Sequence, residues 1–179
     1  MKRIVIIGST GSGKTTLGNL LSERLHIPHI ELDALHWEPN WVEAPTEIMR
    51  ARVSHALDCD SWVVDGNYSV VRDLIWSRAD TIVWLDYSFT FIAWRLFRRT
   101  MQRIVTREKL WGYNQETWRT QFFSRDSLFL WFLQTYFKRR RDYPVLFERP
   151  EYTHLNVIHM HSQRETDEWL NSVAVNKER

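Results

Sequence analysis

Hydrophobic positions along the chain alternate between two patterns: short unbroken runs, and longer stretches where they recur every three or four residues. Residues 3–7 (RIVII) form the first run, β-branched and closed by Gly8, which predicts a buried strand. Residues 15–25 then place Leu17, Leu20, Leu21 and Leu25 on one helical face. Residues 28–32 read as a second strand, ended by Asp33, and residues 46–58 as a helix with Ile48, Val53 and Leu57 inward. The runs WVVDGN (62–67) and TIVWLD (81–86) predict a third and a fourth strand, each closing on an aspartate. A basic helix is expected over 88–106 and more helix through SLFLWFLQTYFKRRR. Residues 156–160 supply a fifth strand and 162–173 a closing helix, with Ser162 as N-cap and Glu165 completing a capping box. Between the second strand and the second helix, ALHWEPNWVEAP has two prolines and no periodicity, and reads as a loop.

Strands alternating with helices predict an α/β fold of three layers, a five-stranded parallel sheet covered on both faces. No repeat or low-complexity linker divides the chain, so residues 1–179 are expected to form one domain. The stretch that breaks the rhythm, about 95–149, is the expected helical lid, and about 33–60 the expected acceptor-binding region. Composition adds limits rather than detail. A hydrophobic content of 44% with 26% charged residues suits a soluble globular protein. One cysteine, Cys59, excludes an internal disulfide and fits a reducing compartment. The apolar run before Gly8 is too short for a signal-peptide core, and no run is long enough for a membrane helix, so a cytoplasmic protein with no membrane partner is expected. A net charge of +2 does not by itself nominate nucleic acid as a partner. Ten tryptophans are unusual, and Trp37, Trp41 and Trp111 fall where loops are expected, as packing or as stacking surfaces for a flat substrate.

Chemistry enters with GSTGSGKT, Gly8 to Thr15, which satisfies G-x-x-x-x-G-K-[ST] between a strand and a helix. Gly8, Gly11, Ser12 and Gly13 form a turn whose N–H groups make a nest for phosphate oxygens. The helix start adds unpaired N–H groups and a positive dipole end. Lys14 is placed to bridge β- and γ-phosphate oxygens, Thr15 to ligate Mg²⁺, and Thr16 to contact the α-phosphate side. The fate of the phosphate follows from what is missing. There is no guanine-reading N-K-x-D, no D-x-x-G, and no Glu beside Asp65 or Asp86 to activate water. Transfer onto a bound acceptor, where positioning and charge neutralisation dominate, is the reading that remains. Open parallel sheets bind ligands at the carboxyl ends of their strands, where Asp33, Asp65 and Asp86 all fall. Asp65 is the candidate to hold Mg²⁺, and Asp33 to orient the acceptor, although strand-end aspartates also serve as caps. His36 and Trp37 are candidates to line the acceptor pocket, against the ordinary structural role of a lone histidine.

Two basic clusters complete the set. Arg95, Arg99, Arg103 and Arg107 step by four and are expected as one helical stripe, and KRRRDY (138–143) holds Arg139. Guanidinium groups in a closing lid would neutralise transition-state charge; a solvated basic face is the bland alternative.

GSTGSGKTT, the acid-ended second strand, WVVDGNY, TIVWLDYS followed by WRLFRR, and RRRDY together resemble the P-loop small-molecule and nucleoside-monophosphate kinases. LDALHWEPNW, VVDGNY, ADTIVWLDY and FKRRRDYPVL further resemble the adenylate-kinase-like DNA topology modulation (FlaR-like) proteins, over nearly the whole length. The resemblance implies strand order 2-3-1-4-5, an ATP–Mg²⁺ site and a mobile lid. It implies that Asp65 matches the Asp-Gly of the third strand, that Arg95 and Arg99 contact the nucleotide, and that Arg139 in RRR serves the transfer with Lys14, Asp33, Arg99 and Arg103. Asn67, Tyr68 and Arg72, after the Asp-Gly, join Asp33, His36 and Trp37 on the acceptor side. DGNYS replaces the D-G-F-P-R of adenylate kinases, and DALHW replaces their S-T-G-D, so the acceptor stays open. The expected function is transfer of the γ-phosphate of Mg-ATP to a nucleotide or other small molecule. The alternative is a nucleotide-regulated nucleic-acid-binding protein, for which Trp111, Tyr113 and Trp118 interleave with the basic clusters. A third reading makes SLFLWFLQTYFKRRR a membrane-surface helix; its contiguous apolar residues instead suggest a buried one.

Overall fold

Burial of alternate residues on both faces of the sheet decides the architecture. The computed structural model describes residues 1–115, 117 and 127–175. In chain order these form β1 (Arg3–Gly8), α1 (Lys14–Leu25), β2 (His29–Glu31), α2 (Leu32–His36), β3 (Trp37–Glu38), β4 (Val42–Glu43), α3 (Thr46–Ala56) and β5 (Trp62–Asp65). There follow α4 (Arg72–Trp76), β6 (Thr81–Leu85), α5 (Phe89–Thr106), β7 (Lys109–Leu110), β8 (Asn114–Gln115), α6 (Leu128–Phe147), β9 (Asn156–Met160) and α7 (Gln163–Val175). The main sheet runs β2-β5-β1-β6-β9, all pairs parallel. Among its own strands that is second, third, first, fourth, fifth. The antiparallel ribbons β3–β4 and β7–β8 are extra to the expected set and shift the numbering.

Val5 and Ile7 of β1 join Ile30, Val64, Ile82 and Trp84 in one core, closed by Met49 and Val53 of α3 and Trp76 of α4. Ile4 and Ile6 join Val63, Val83 and Leu85 in the other, under Leu17 and Leu21 of α1, Ile92 and Leu96 of α5, and Leu170 and Val173 of α7. Central strands buried on both sides read as continuous apolar runs, which is why the sequence shows them so plainly. Helix α6 serves both cores, with Phe132 and Tyr136 in the second and Tyr143 in the first. Its middle therefore passes over the sheet and carries Arg139 and Arg140 to it.

Four expectations change. ALHWEPNWVEAP is not a featureless loop: it holds α2 and the β3–β4 ribbon. The third strand stops at Asp65. Arg107 leaves the basic stripe, because α5 ends at Thr106 and Arg107 caps it in the left-handed conformation (φ 53°). The apolar residues of α6 are not all buried: Leu130, Trp131, Leu133 and Phe137 are 42–66% exposed, since only the stripe through Phe132 and Tyr136 meets the core. The closing capping box forms with a shift: the Glu165 N–H donates to Ser162 Oγ (3.2 Å), but the Glu165 carboxylate accepts from the amide of His161, not that of Ser162. Among the described residues, no helix is long and apolar enough to cross a membrane.

Candidate active site

The turn between β1 and α1 is shaped for an anion. Pairing of β1 with β6 sets Gly8 against Leu85 so closely that a Cβ on Gly8 would lie 2.7 Å from the Leu85 carbonyl oxygen. Gly13 takes φ 98° directly beneath Arg95, whose Nη2 would lie 2.9 Å from any added Cβ. Helix α1 begins there with no side-chain cap and no acid in its first turn, so its amide donors and dipole face the turn uncompensated. Ser12 Oγ is buried without a hydrogen-bond partner, as a donor awaiting an acceptor would be. Lys14 Nζ donates to the Ser9 carbonyl (3.0 Å). Burial lowers its pKa from 10.5 to about 8, against the pull of Asp65 and Asp33, with Arg139 and Arg99 lowering it further. Thr15 and Thr16 stand exposed on the first turn.

Two carboxylates, Asp65 and Asp33, act on Lys14, and a third, Glu31, neighbours them. Parallel register places Glu31 of β2 next to Asp65 of β5, which in turn neighbours Ile6 of β1. Asp65 is almost fully buried, and its Oδ2 makes no hydrogen bond although His29 Nε2 lies 3.4 Å away. Asp33, on the first turn of α2, accepts a hydrogen bond from the Tyr68 hydroxyl (2.5 Å). Burial, then the Asp33 charge, push the Tyr68 pKa far above its ordinary value and keep that proton in place. Burial and the neighbouring Asp65 also raise Glu31, partly offset by a hydrogen bond from Trp111. An orphaned buried carboxylate oxygen and an exposed threonine hydroxyl at a helix start are the donor set a hard divalent cation prefers. The residues fit nucleotide phosphates with Mg²⁺.

Arginines approach from two helices. Arg139 Nη1 donates to the Gly8 carbonyl (3.1 Å), and Arg99 Nη2 contacts Thr10 Oγ1 (3.4 Å). Arg95 Nη1 donates to Gln163 Oε1 (2.6 Å) at the edge of a shallow pocket lined by Thr16, Leu17, Tyr87, Thr166 and Leu170. On the far side, Asn67 links Arg72 (3.4 Å) to the Tyr143 hydroxyl (2.7 Å), and Arg72 Nε is buried without a hydrogen-bond partner. Arg103 Nε lies 3.7 Å from Glu108 Oε1. Asp86 is engaged by Arg140 (2.9 Å) and His159 (3.0 Å).

His36 is buried, its ring 4.4 Å from Tyr68 and 4.8 Å from Trp37. Edge-to-face contacts continue from Trp37 to Trp41 (5.7 Å) and on to Trp111 (6.0 Å) in the β7–β8 hairpin. Asn114 fastens that hairpin down: its Oδ1 accepts from the Trp41 amide, and its Nδ2 donates to the Glu38 carbonyl (each 3.0 Å). Tyr113 donates to the Trp37 carbonyl (2.7 Å). Trp118 lies outside the described residues. Glu31, Tyr143 and Asn114 were absent from the sequence-based set. The strand-end argument applied to Asp33 would have covered Glu31, whereas nothing local marks Tyr143 or Asn114.

Comparisons with known proteins accord with this geometry. The model of the PduV-EutP family, described as ethanolamine utilisation – propanediol utilisation, matches residues 1–112. A shikimate kinase of Sulfurihydrogenibium sp. (strain YO3AOP1) is 25% identical over 111 residues, 54% of this chain and 67% of that one. Among solved structures, a shikimate kinase from Bacteroides thetaiotaomicron superposes with TM-score 0.54 at 18% identity, covering 99% of each chain. A gluconokinase from Sinorhizobium meliloti 1021 gives TM-score 0.52 at 20% identity, covering 99% of this chain and 95% of that one. The fold is that of the P-loop small-molecule kinases.

Proposed function

The chain belongs to the PduV-EutP family, and from the site's geometry and the fold shared with small-molecule kinases we propose that it transfers the γ-phosphate of Mg-ATP to a hydroxyl of a small anionic acceptor. One observation carries the reading: Lys14, at the phosphate turn, is within electrostatic reach of two carboxylates, Asp65 and Asp33, and two guanidinium groups, Arg139 and Arg99. A second carboxylate held by a tyrosine beside the phosphate turn is suited to orient and deprotonate an attacking hydroxyl.

In this reading the amides of residues 11–13, the Ser12 hydroxyl and Lys14 hold the β- and γ-phosphates, with Thr16 toward the α-phosphate and Arg95 closing over Gly13. Thr15 and Asp65 hold Mg²⁺, which when bound neutralises charge on the transferring group. Asp33, its other contacts fixed by Tyr68, accepts the acceptor's proton. Arg99 and Arg139 stabilise the charge that spreads over the γ-phosphate oxygens. Arg72, with its orphaned Nε, and Asn67 receive an acceptor carboxylate or phosphate, and His36 with Trp37 forms the apolar wall. The hairpin β7–β8, within the lid region of about 95–149, covers the acceptor region of about 33–60 through Trp111. Supporting the class of acceptor, the relatives named shikimate kinase and gluconokinase carry hydroxy acids in their names.

The finer resemblance to DNA topology modulation proteins, and nucleic acid as partner, take second place. Arg103 is close to Glu108 and Arg107 has left the helix, so the basic stripe is shorter than its sequence suggests.

The test is a coupled ADP assay with Mg-ATP against hydroxy acids, sugars and nucleoside monophosphates, products identified by phosphorus NMR. Acceptor-dependent turnover is expected, lost with Lys14→Ala and reduced roughly 10²–10⁴-fold in kcat by Asp33→Asn. Hydrolysis indifferent to every acceptor would overturn the proposal.

A further inference from the structure

Beyond the phosphate site, the parallel pairing of β6 with β9 builds a second constellation. Register sets Trp84 opposite His159 and Leu85 opposite Met160, and the Asp86 amide donates to the Met160 carbonyl (2.8 Å). Side chains alternate along a strand, so Trp84 and Asp86 share a face with His159 and His161. The His159 ring stacks flat on the Trp84 indole (3.8 Å between centroids, 5° between planes), and the two histidine rings lie 4.0 Å apart. One ligand atom from each of Asp86, His159 and His161 lies within 4.8 Å of the others. Asp86 is buried, and Arg140 Nε lies 2.9 Å from its Oδ1 and 3.1 Å from its Oδ2, while Arg140 also donates to the Tyr136 hydroxyl (3.0 Å).

We propose that Asp86, His159 and His161 form a binding site for a divalent transition-metal ion, with Zn²⁺ the best match. The donor set is two imidazoles and one carboxylate, which suits Zn²⁺ and not the Mg²⁺ of the phosphate site. Both histidines come from β9 and the residue after it, and the acid from just past β6. Trp84 fixes the plane of one imidazole, and Arg140 orients the carboxylate, supporting contacts of the kind that position metal ligands. His159 Nε2 and Asp86 Oδ2, at 3.0 Å, are already near the separation two ligands keep around a tetrahedral ion. His161 is exposed, so the ion has a path in. None of these residues belongs to the phosphate-transfer site proposed above, so either reading can fail without the other.

The experiment uses the full chain, stripped with chelator and free of nucleotide. Zn²⁺ is titrated calorimetrically, and Co²⁺ is followed by its visible absorption. One equivalent of Zn²⁺ is expected, with an intense low-symmetry Co²⁺ band that Zn²⁺ displaces and excess Mg²⁺ does not. His161→Gln, at an exposed position, should weaken Zn²⁺ binding roughly tenfold or more, and Asp65→Asn should leave it unchanged. A wild-type protein with no Co²⁺ band overturns the site without recourse to any variant. Binding that survives His161→Gln but falls with Asp65→Asn overturns it too, placing the ion at the phosphate turn.

Discussion

Lys14 shows how the site is poised at the level of one residue. Two carboxylates favour its charge, but burial outweighs them and holds its pKa at about 8. An unfolded chain, with its lysine at 10.5, binds that proton more tightly than the folded protein does. Stability is therefore depressed below pH 8 and climbs between about pH 8 and 10.5. Lys14→Met should raise the stability of the ligand-free protein by about 1–3 kcal/mol at pH 7 and flatten that climb, as read by denaturant melts at pH 7 and 9.5. Nucleotide phosphates should restore the charge. At pH 8.5 a fraction of a proton should be taken up per nucleotide bound, which calorimetry in buffers of different ionisation enthalpy will measure. A binding heat independent of the buffer would show that Lys14 stays charged throughout.

At the scale of elements, the β7–β8 hairpin and the 37–43 segment depend on each other. Neither two-residue ribbon could persist alone, and the buried Asn114 side chain supplies two of the hydrogen bonds that join them, beside those of Tyr113 and Trp41. Asn114→Ala strands an amide and a carbonyl at once, so a cost of about 2 kcal/mol in thermal or denaturant melts is expected. If the hairpin covers the acceptor, that variant should also raise the acceptor KM while leaving the ATP KM near its wild-type value. A parallel rise in both would instead point to general loosening. Helix α7 offers a simpler check: Ser162→Ala removes the oxygen that accepts from Glu165 and should cost about 1 kcal/mol.

Across the whole molecule, two cores share one sheet. Ile6 and Ile7 are adjacent, both fully buried, and belong to opposite cores. Truncating either to alanine should cost about 2–5 kcal/mol by denaturant unfolding. A sheet covered on one side only would tolerate one of the two changes. Helix α6 ties the cores together through Phe132, Tyr136 and Tyr143, and this crossing brings Arg139 to Gly8 and Arg140 to Asp86.

Local chemistry was written in the sequence wherever a few neighbouring residues determine geometry. The β1 run, the glycine turn and Lys14 specify a phosphate nest without help from the rest of the chain, because strand burial, left-handed glycines and a helix start are short-range properties. The central strands β1, β5 and β6 were legible for the same reason: each is an apolar run closed by a turn residue. Only tertiary structure decided which acids meet Lys14. Asp33, Asp65 and Asp86 all read as strand ends, with Asp65 favoured for the cation and Asp33 for the acceptor, but the sheet sets their neighbours: β5 lies beside β1 on one side and β6 on the other, so Asp65 acts on Lys14 while Asp86 meets Arg140 and His159. The contacts of the arginines likewise come from packing: Arg95 and Arg99, expected at the nucleotide by resemblance, reach the phosphate turn, Arg103 lies near Glu108, and Arg139 arrives from a helix forty residues further on. Contacts between residues distant in sequence depend on where helices cross the sheet, and crossing is fixed by packing of both cores together, a property no single segment carries.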